Sequence, residues 1–258
     1  MTPIISVIIP CYNQGQYIND AINSVEQVAD KSLYEILIVN DGSTDDFTKR
    51  ILISLEEKGY NVINQENLGL STARNNGILA SKGKYLLPLD ADNKIRPAYI
   101  EKGITILEKK GDIGLVYADA FHFEGDNKVV KSGKFNIKRM MLYNFVDACA
   151  VIRKKAWEQT GGYDPTLTAM EDWDMNLSLA ELGWKFHYIP EVLFDYRVRK
   201  ESMLRTYQNS NSQVLQDYIA RKHGILYRNE FFKTIKLSDR IKSLCYDFVK
   251  KITGNPNY

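Results

Sequence analysis

No apolar run in the 258 residues approaches the ~18 needed to cross a bilayer, so the chain is expected to be soluble or, at most, attached to a membrane surface. Cysteine is scarce: Cys11, Cys149 and Cys245 are an odd number at wide spacing. They form no disulfide framework and no zinc pair, and a reducing, cytoplasmic setting is expected. The three histidines, His122, His187 and His223, show no metal spacing either. Charge of one sign is lacking too. The 34 Lys and Arg against 32 Asp and Glu leave +2, which argues against nucleic acid as a partner. The opening Met1-Thr2-Pro3 lacks the basic stretch of a signal peptide. The phosphate-binding pattern GxxxxGKS/T, the dinucleotide turn GxGxxG and the nucleophile elbow GxSxG are all missing. That argues against P-loop hydrolases, nicotinamide dehydrogenases and elbow-type serine hydrolases.

What is present is an ordinary globular balance, 44% hydrophobic and 26% charged, long enough for one large domain or two small ones. Ile4–Ile9 reads as a buried strand ended by Pro10, and Asn13 as the cap of a helix with Ile18, Ala21, Ile22, Val25 and Val28 on one face. Glu35–Asn40 is a second strand, and Thr44 or Asp45 opens a helix toward Gly59. Tyr60–Asn64, Ser71–Ser81 and Lys84–Leu89 read as strand, helix and strand. This alternation predicts a mostly parallel α/β sheet with helices on both faces. Ligands then sit beyond the carboxyl ends of the strands, where Cys11-Tyr12-Asn13, Asn40-Asp41-Gly42-Ser43 and Asp90-Ala91-Asp92-Asn93 fall on one rim.

The second half is less regular. A helix from Pro97 to Lys110, a strand Ile113–Ala120 and a hairpin turning at Gly125-Asp126-Asn127 come first. Then follow a strand Val146–Ile152, helices Lys154–Thr160 and Glu171–Leu182, and strands Lys185–Ile189 and Val192–Val198. This half reads as mixed material completing the same sheet, with Cys149 and His187 packed rather than catalytic. From Tyr207 onward the pattern is helical, with Val214, Leu215, Tyr218 and Ile219 as one apolar stripe and Ile235, Ile241, Leu244, Phe248 and Ile252 as a second. Residues 221–251 hold nine Lys or Arg and three Asp or Glu, a local +6. A packed helical pair with solvated charges is the plain reading, and peripheral contact with anionic lipid is the other.

Asp90 and Asp92, one residue apart in a turn, can converge on Mg²⁺ or Mn²⁺ bridging phosphate oxygens, or merely cap the next helix. Asp41 can accept hydrogen bonds from a base or ribose, or belong to a plain Asp-Gly turn. Arg74 can reach a base or diphosphate, or be a surface arginine. Asp172, at a helix start where the dipole favours the anion, can serve as a general base, or as a cap beside a core Trp173.

The order of motifs resembles the inverting family 2 glycosyltransferases of the GT-A fold. Strand-Pro10-x-Tyr12-Asn13 comes first, followed by Val39-Asn-Asp-Gly-Ser-Thr-Asp45 and Asn67-x-Gly-x-Ser-x-Ala-Arg74-Asn75. Leu89-Asp-Ala-Asp92, Gly161-Gly-Tyr-Asp164 and Glu171-Asp-Trp-Asp174 complete the series. The resemblance spans roughly the first 200 residues. It implies residues 1–205 as a glycosyltransferase domain, with a nucleotide-binding half (1–93) and an acceptor-binding half (94–205), and residues 206–258 as a helical extension. It further implies a nucleoside-diphosphate sugar donor, UDP-linked, and a glycan or lipid-linked hydroxyl acceptor, with Mn²⁺ or Mg²⁺ as cofactor. Pro10, Tyr12, Asn13, Asp41, Arg74 and Asp90 would then bind nucleotide, and Asp92, with Asp90, the metal. Asp172 would be the base, Glu171 its orienter or an acceptor contact, and Trp173 a wall of the acceptor pocket. Cys11 stands where Ser or Thr is frequent, and Asn93 where a second aspartate often follows. Tyr196-Arg197 resembles a late motif whose usual histidine is missing, so Arg197, Arg199 or Lys200 is expected near the diphosphate. The alternatives are a sugar-nucleotidyltransferase, although the first loop lacks the basic residues that class needs, and a silent sugar-nucleotide- or glycan-binding module.

Overall fold

The structure, a computed structural model, describes residues 2–125, 127–199 and 212–234. Its first strand, β1 (Ile5–Cys11), is buried at every position. β-Branched side chains suit a strand covered on both faces, and they divide by parity. Ile5, Val7, Ile9 and Cys11 join one apolar cluster, and Ile8 the other. The strand runs through Pro10, pairing it with Val39, instead of ending there. On the other side β1 has no paired residue beyond Ile8, so a residue without an N–H costs little at that point.

Next come α1 (Gly15–Glu26), β2 (Tyr34–Asp41), α2 (Asp46–Glu57), β3 (Asn61–Gln65), α3 (Leu70–Ala80) and β4 (Tyr85–Pro88). All four strands are parallel, in the order β3-β2-β1-β4. Asp45 caps α2 through the Thr48 N–H at 2.7 Å. Asn13 does not cap α1. Its side-chain oxygen accepts instead from Thr44 N at 2.8 Å and Asp45 N at 3.2 Å, at the entrance of α2. The first N–H of α1, on Gly15, goes to Thr48 Oγ1 at 2.8 Å.

The chain then adds β5 (Lys94–Ile95), α4 (Ala98–Lys109), β6 (Ile113–Phe123), β7 (Lys128–Val130), α5 (Ile137–Leu142), β8 (Val151–Arg153), α6 (Lys154–Thr160), α7 (Glu171–Glu181) and β9 (Lys185–Arg197). The sheet continues β4-β8-β6-β9-β5, with β7 on β6. Because β8 is antiparallel to both neighbours, β6 and β9 run the same way as β1. Their carboxyl ends therefore reach the same rim. Helices α1, α2 and α4 cover one face, and α3, α6 and α7 the other.

Two strand expectations are corrected. Val146–Ile152 is a strand only from Val151, because Asn144 and Asp147 take the N–H groups of Val146 and Cys149 into local side-chain turns. The two late strands are one, β9, whose irregular register opposite Asp119 absorbs Pro190. The described part of the tail forms α8 (Ser212–Lys222) and α9 (Gly224–Thr234). Of the expected stripe, Ile219 is buried and Leu215 half-buried, whereas Val214 and Tyr218 are exposed. The second stripe lies outside the described residues.

Candidate active site

The rim is built first by the loops after β1, β2 and β3. Asp41 is buried and accepts three hydrogen bonds: Gln65 Nε2 and Leu68 N on Oδ1, both at 2.8 Å, and Gly69 N on Oδ2 at 3.0 Å. It is thus no plain turn residue; it seats the loop leading into α3. Gly42 makes this possible, with φ +67° and Asn67 N only 2.5 Å from where a Cβ would stand. Asn13 ties the first loop to the second through Ser43 and Thr44. Tyr12 is exposed beside it, and Pro10 lies buried in β1. Burial pushes the Cys11 thiol up to about 11, so it behaves as an inert apolar group.

The turn after β4 carries Asp90 and Asp92. Neither caps α4, whose N-cap, Pro97, has no side-chain bond. Asp92 is buried, and burial together with the neighbouring Asp90 raises its carboxyl to about 6. Arg199 Nε lies 2.7 Å from Asp92 Oδ2. Arg197, expected at the diphosphate, is buried and engaged elsewhere. It donates to the Asp92 carbonyl at 2.9 Å, to Asp20 at 2.6 Å and to Glu124, with its guanidinium over Tyr17 and Phe123. Its backbone N–H goes to Asn93 Oδ1 at 2.9 Å, so Asn93 serves as a neutral acceptor between buried charges. Lys200 lies outside the described residues.

Two carboxylates on one turn suit Mg²⁺ or Mn²⁺, which take one or two protein carboxylates and leave their other positions to phosphate and water. Asp92 and Asp90 would hold such a cation, and each has one oxygen turned to Arg199 or Arg74. Among the described residues no cluster of three acidic, His or Cys side chains forms a closed metal cage. A pair of carboxylates is compatible with a cation that takes its other ligands from phosphate and water.

Arg74 is not at the surface. It is 1% exposed, pairs with Asp90 at 2.6 Å and with Glu171, and lies 5.4 Å over the Tyr163 ring. It therefore joins the rim to the start of α7. Met170, immediately before that helix, has φ +64°, a strained conformation for a residue with a bulky side chain. Asp172 follows in the first turn, partly open to solvent yet ringed by protein. Its Oδ2 accepts from Asn144 Nδ2 at 2.8 Å, and its Oδ1 from Trp173 N at 2.8 Å. Burial, with Glu171 and Asp147 nearby, holds its carboxyl well above the usual carboxylate range and outweighs the helix dipole. Trp173, expected to wall the acceptor pocket, belongs instead to the apolar cluster behind α7 and donates to the Met140 carbonyl. Phe135 stacks on Phe186 and Phe145 packs edge-on to Tyr117, so of the aromatic residues in this region Tyr143 is the exposed one.

Asn144 and Asp147 were not foreseen. Asp147, raised by burial to about 6, lies between Phe145 and Cys149 in a stretch that reads as a strand, and no turn or motif marks it.

With this geometry in place, comparison with known proteins is informative. An uncharacterised glycosyltransferase of Methanocaldococcus jannaschii is 26% identical over 208 residues, covering 76% of this chain and 71% of that protein. Hyaluronan synthase of Pasteurella multocida is 25% identical over 238 residues, which is 88% of this chain but 24% of that protein. Among solved structures, S. aureus TarS 1–349 in complex with UDP-GlcNAc superposes with a TM-score of 0.72 at 16% identity, over 96% of this chain and 70% of that one. The mannosyltransferase PcManGT of Pyrobaculum calidifontis, in complex with GDP-Man and Mn²⁺, does so with a TM-score of 0.61 at 15% identity, over 97% of this chain and 70% of that one. Both share the GT-A fold. The family profile "Glycosyl transferase family 2" matches residues 6–161, from β1 to the end of α6. The chain is an enzyme of glycosyl transferase family 2.

Proposed function

We propose that this glycosyltransferase moves a sugar from a UDP-linked donor to a hydroxyl of a glycan or lipid-linked acceptor, with inversion at the anomeric carbon. The observation that carries the reading is the Arg74 bridge. It ties Asp90, on the donor rim, to Glu171, the neighbour of Asp172, so an acid beside the leaving group and a carboxylate base share one rigid frame. Asp41 and the loop it seats would receive the base, and the Asp90–Asp92 turn would lie under the diphosphate. The acceptor oxygen attacks the anomeric carbon while Asp172 takes its proton. The bond to the diphosphate breaks, and its electron pair leaves with the nucleotide. A carboxyl raised by burial is a stronger base than an ordinary carboxylate, as the role requires. Mn²⁺ or Mg²⁺, held by Asp92 and Asp90, would supply positive charge at the departing phosphates.

Relatives named hyaluronan synthase and chondroitin synthase support a role in glycan or polysaccharide assembly. Neighbouring folds bound to UDP, UDP-GlcNAc and GDP-Man support a nucleotide-sugar donor. Among the described residues no helix is long and apolar enough to cross a membrane. A cytoplasmic enzyme, touching the membrane through its basic C-terminal segment, fits this reading. The test is nucleotide release from UDP-GlcNAc, UDP-glucose, UDP-galactose and GDP-mannose with Mn²⁺. Turnover is expected with a UDP sugar, lost in Asp172→Asn while UDP still binds. Loss of UDP binding in that variant would remove Asp172 from the role of base.

A further inference from the structure

The tail is built into the catalytic helix. Residues two apart on a helix point to nearly opposite sides, so Asp172 faces the site and Asp174 faces away from it. Asp174 is 1% exposed, and a carboxylate so buried is costly unless paired. Its partners are the last residue of α8 and the residue that follows it. Lys222 Nζ lies 2.9 Å from Oδ2, and His223 Nε2 lies 3.0 Å from Oδ1. The other His223 nitrogen lies 3.0 Å from Glu181 Oε2, at the far end of α7. The same Lys222 reaches Asp164 at 2.7 Å, and Tyr218 OH donates to that carboxylate at 2.8 Å. Asp164 belongs to the loop that leads into α7 and carries Tyr163 beneath Arg74. Tyr227, on α9, donates to the Met141 carbonyl at 2.6 Å, beside the segment that presents Asn144 to Asp172. The helix pair thus grips the loop before the base, the back of the base's own helix turn, and the segment opposite.

We propose that Lys222 and His223 are positioning residues for glycosyl transfer: by seating Asp174 and Asp164 they fix the first turn of α7 and hence the placement of Asp172. The inference rests on the reading of Asp172 as base. It makes the tail part of the catalytic unit rather than an appended extension, and it accounts for a charge cluster that touches neither the donor rim nor the acidic turn after β4.

The test uses the full chain. Lys222→Met removes both ion pairs at a partly exposed side chain, Lys222→Arg keeps the cation, and His223→Gln keeps a hydrogen-bonding group that cannot take up a proton. Backbone hydrogen exchange in Glu171–Met175 is followed without substrate, and nucleotide release is measured with the UDP sugar that the donor panel identifies. Lys222→Met is expected to speed exchange in that turn and lower kcat about tenfold, with KM for the donor within about twofold. Lys222→Arg is expected to restore most of both, and His223→Gln to behave like Lys222→Met. Unchanged exchange, faster exchange with unaltered kcat, or a change confined to donor KM would each overturn the proposal. Asp172→Asn, run in parallel, separates the two readings. If it turns over like the parent, the base assignment fails and the positioning role with it. If it is inactive while the tail variants behave like the parent, the positioning role alone fails.

Discussion

Asn144 donates its side-chain amide to Asp172 at 2.8 Å, from a segment almost thirty residues earlier in the chain. The same Asn144 accepts through its Oδ1 from Asn176 and from the N–H of Val146, so its amide is held at both ends. In the proposed mechanism it would orient the carboxylate and favour its ionised form. Hydrogen bonds to charged groups contribute about 1.5–3 kcal/mol. Asn144→Ala is therefore expected to lower kcat about tenfold to a hundredfold while leaving UDP affinity within about twofold. Steady-state kinetics beside UDP calorimetry check this, and an unchanged kcat would release Asn144 from the mechanism.

With Asp172 as the proposed base, its raised carboxyl is expected to give the enzyme an acid limb. A base whose carboxyl sits above the ordinary range is still protonated at mildly acidic pH, so the rate climbs as pH rises through that shifted value. The same shift has a cost for folding. The folded state holds a proton that the unfolded state has released, so this group's contribution to stability declines as pH rises from about 4, its unfolded value, through the folded one. The acid limb is read in the parent, whereas Asp172→Asn is expected to abolish activity and to raise the melting temperature at neutral pH. A pH–rate profile and a melting curve at two pH values measure both effects.

The first half of the fold was legible because local chemistry and tertiary demand agree there. Strand β1 is β-branched and buried on both faces, α1 shows its apolar face at helical spacing, and Asp45 stands where a cap belongs. The shared rim of Asp41, Asp90 and Asp92 is legible because a parallel sheet sends its strand ends to one side. What stayed hidden depends on partners distant in sequence. Arg74 reads as a surface cation until Glu171, nearly a hundred residues away, comes beside it. Asp147 looks like a strand residue because its turn is made by a single side-chain bond to Cys149 N. Arg197 carries a recognisable motif, but only the fold shows that Asp20 and Glu124 claim its guanidinium. The tail's charges read as solvated because Asp164, Asp174 and Glu181 are supplied by other elements.

Arg74 is expected to be the least replaceable cation among the described residues. It is 1% exposed and satisfies two carboxylates, one of them almost wholly buried. Breaking a buried pair costs about 3–5 kcal/mol because a charge is left uncompensated. Asp90 is a third open to water, so the lower end of that range applies. Arg74→Met should lower stability by about 3 kcal/mol in urea unfolding. Arg74→Lys should recover little of this, since one ammonium does not span two carboxylates as a guanidinium fork does. Full stability in Arg74→Met would show that the bridge contributes nothing to the fold.

Gly42 links backbone geometry to donor binding. At φ +67° any side chain is strained by about 1 kcal/mol, and a Cβ there would stand 2.5 Å from Asn67 N, a backbone atom with no free end to swing aside. The loop at Asn67 must then move. That loop is where Leu68 and Gly69 donate to Asp41, so its displacement leaves the Asp41 carboxylate buried with two fewer partners. A carboxylate in that state recruits water or turns, and the surface proposed to receive the nucleotide base is deformed. Gly42→Ala is expected to lower the melting temperature by a few degrees and weaken UDP binding about tenfold or more. Asp172→Asn should leave UDP binding alone. Calorimetric titration of UDP into both variants separates the donor binding proposed for β2 and its turn from the proton transfer proposed for α7. Equal UDP affinity in Gly42→Ala and the parent would place the base away from Asp41 and its loop.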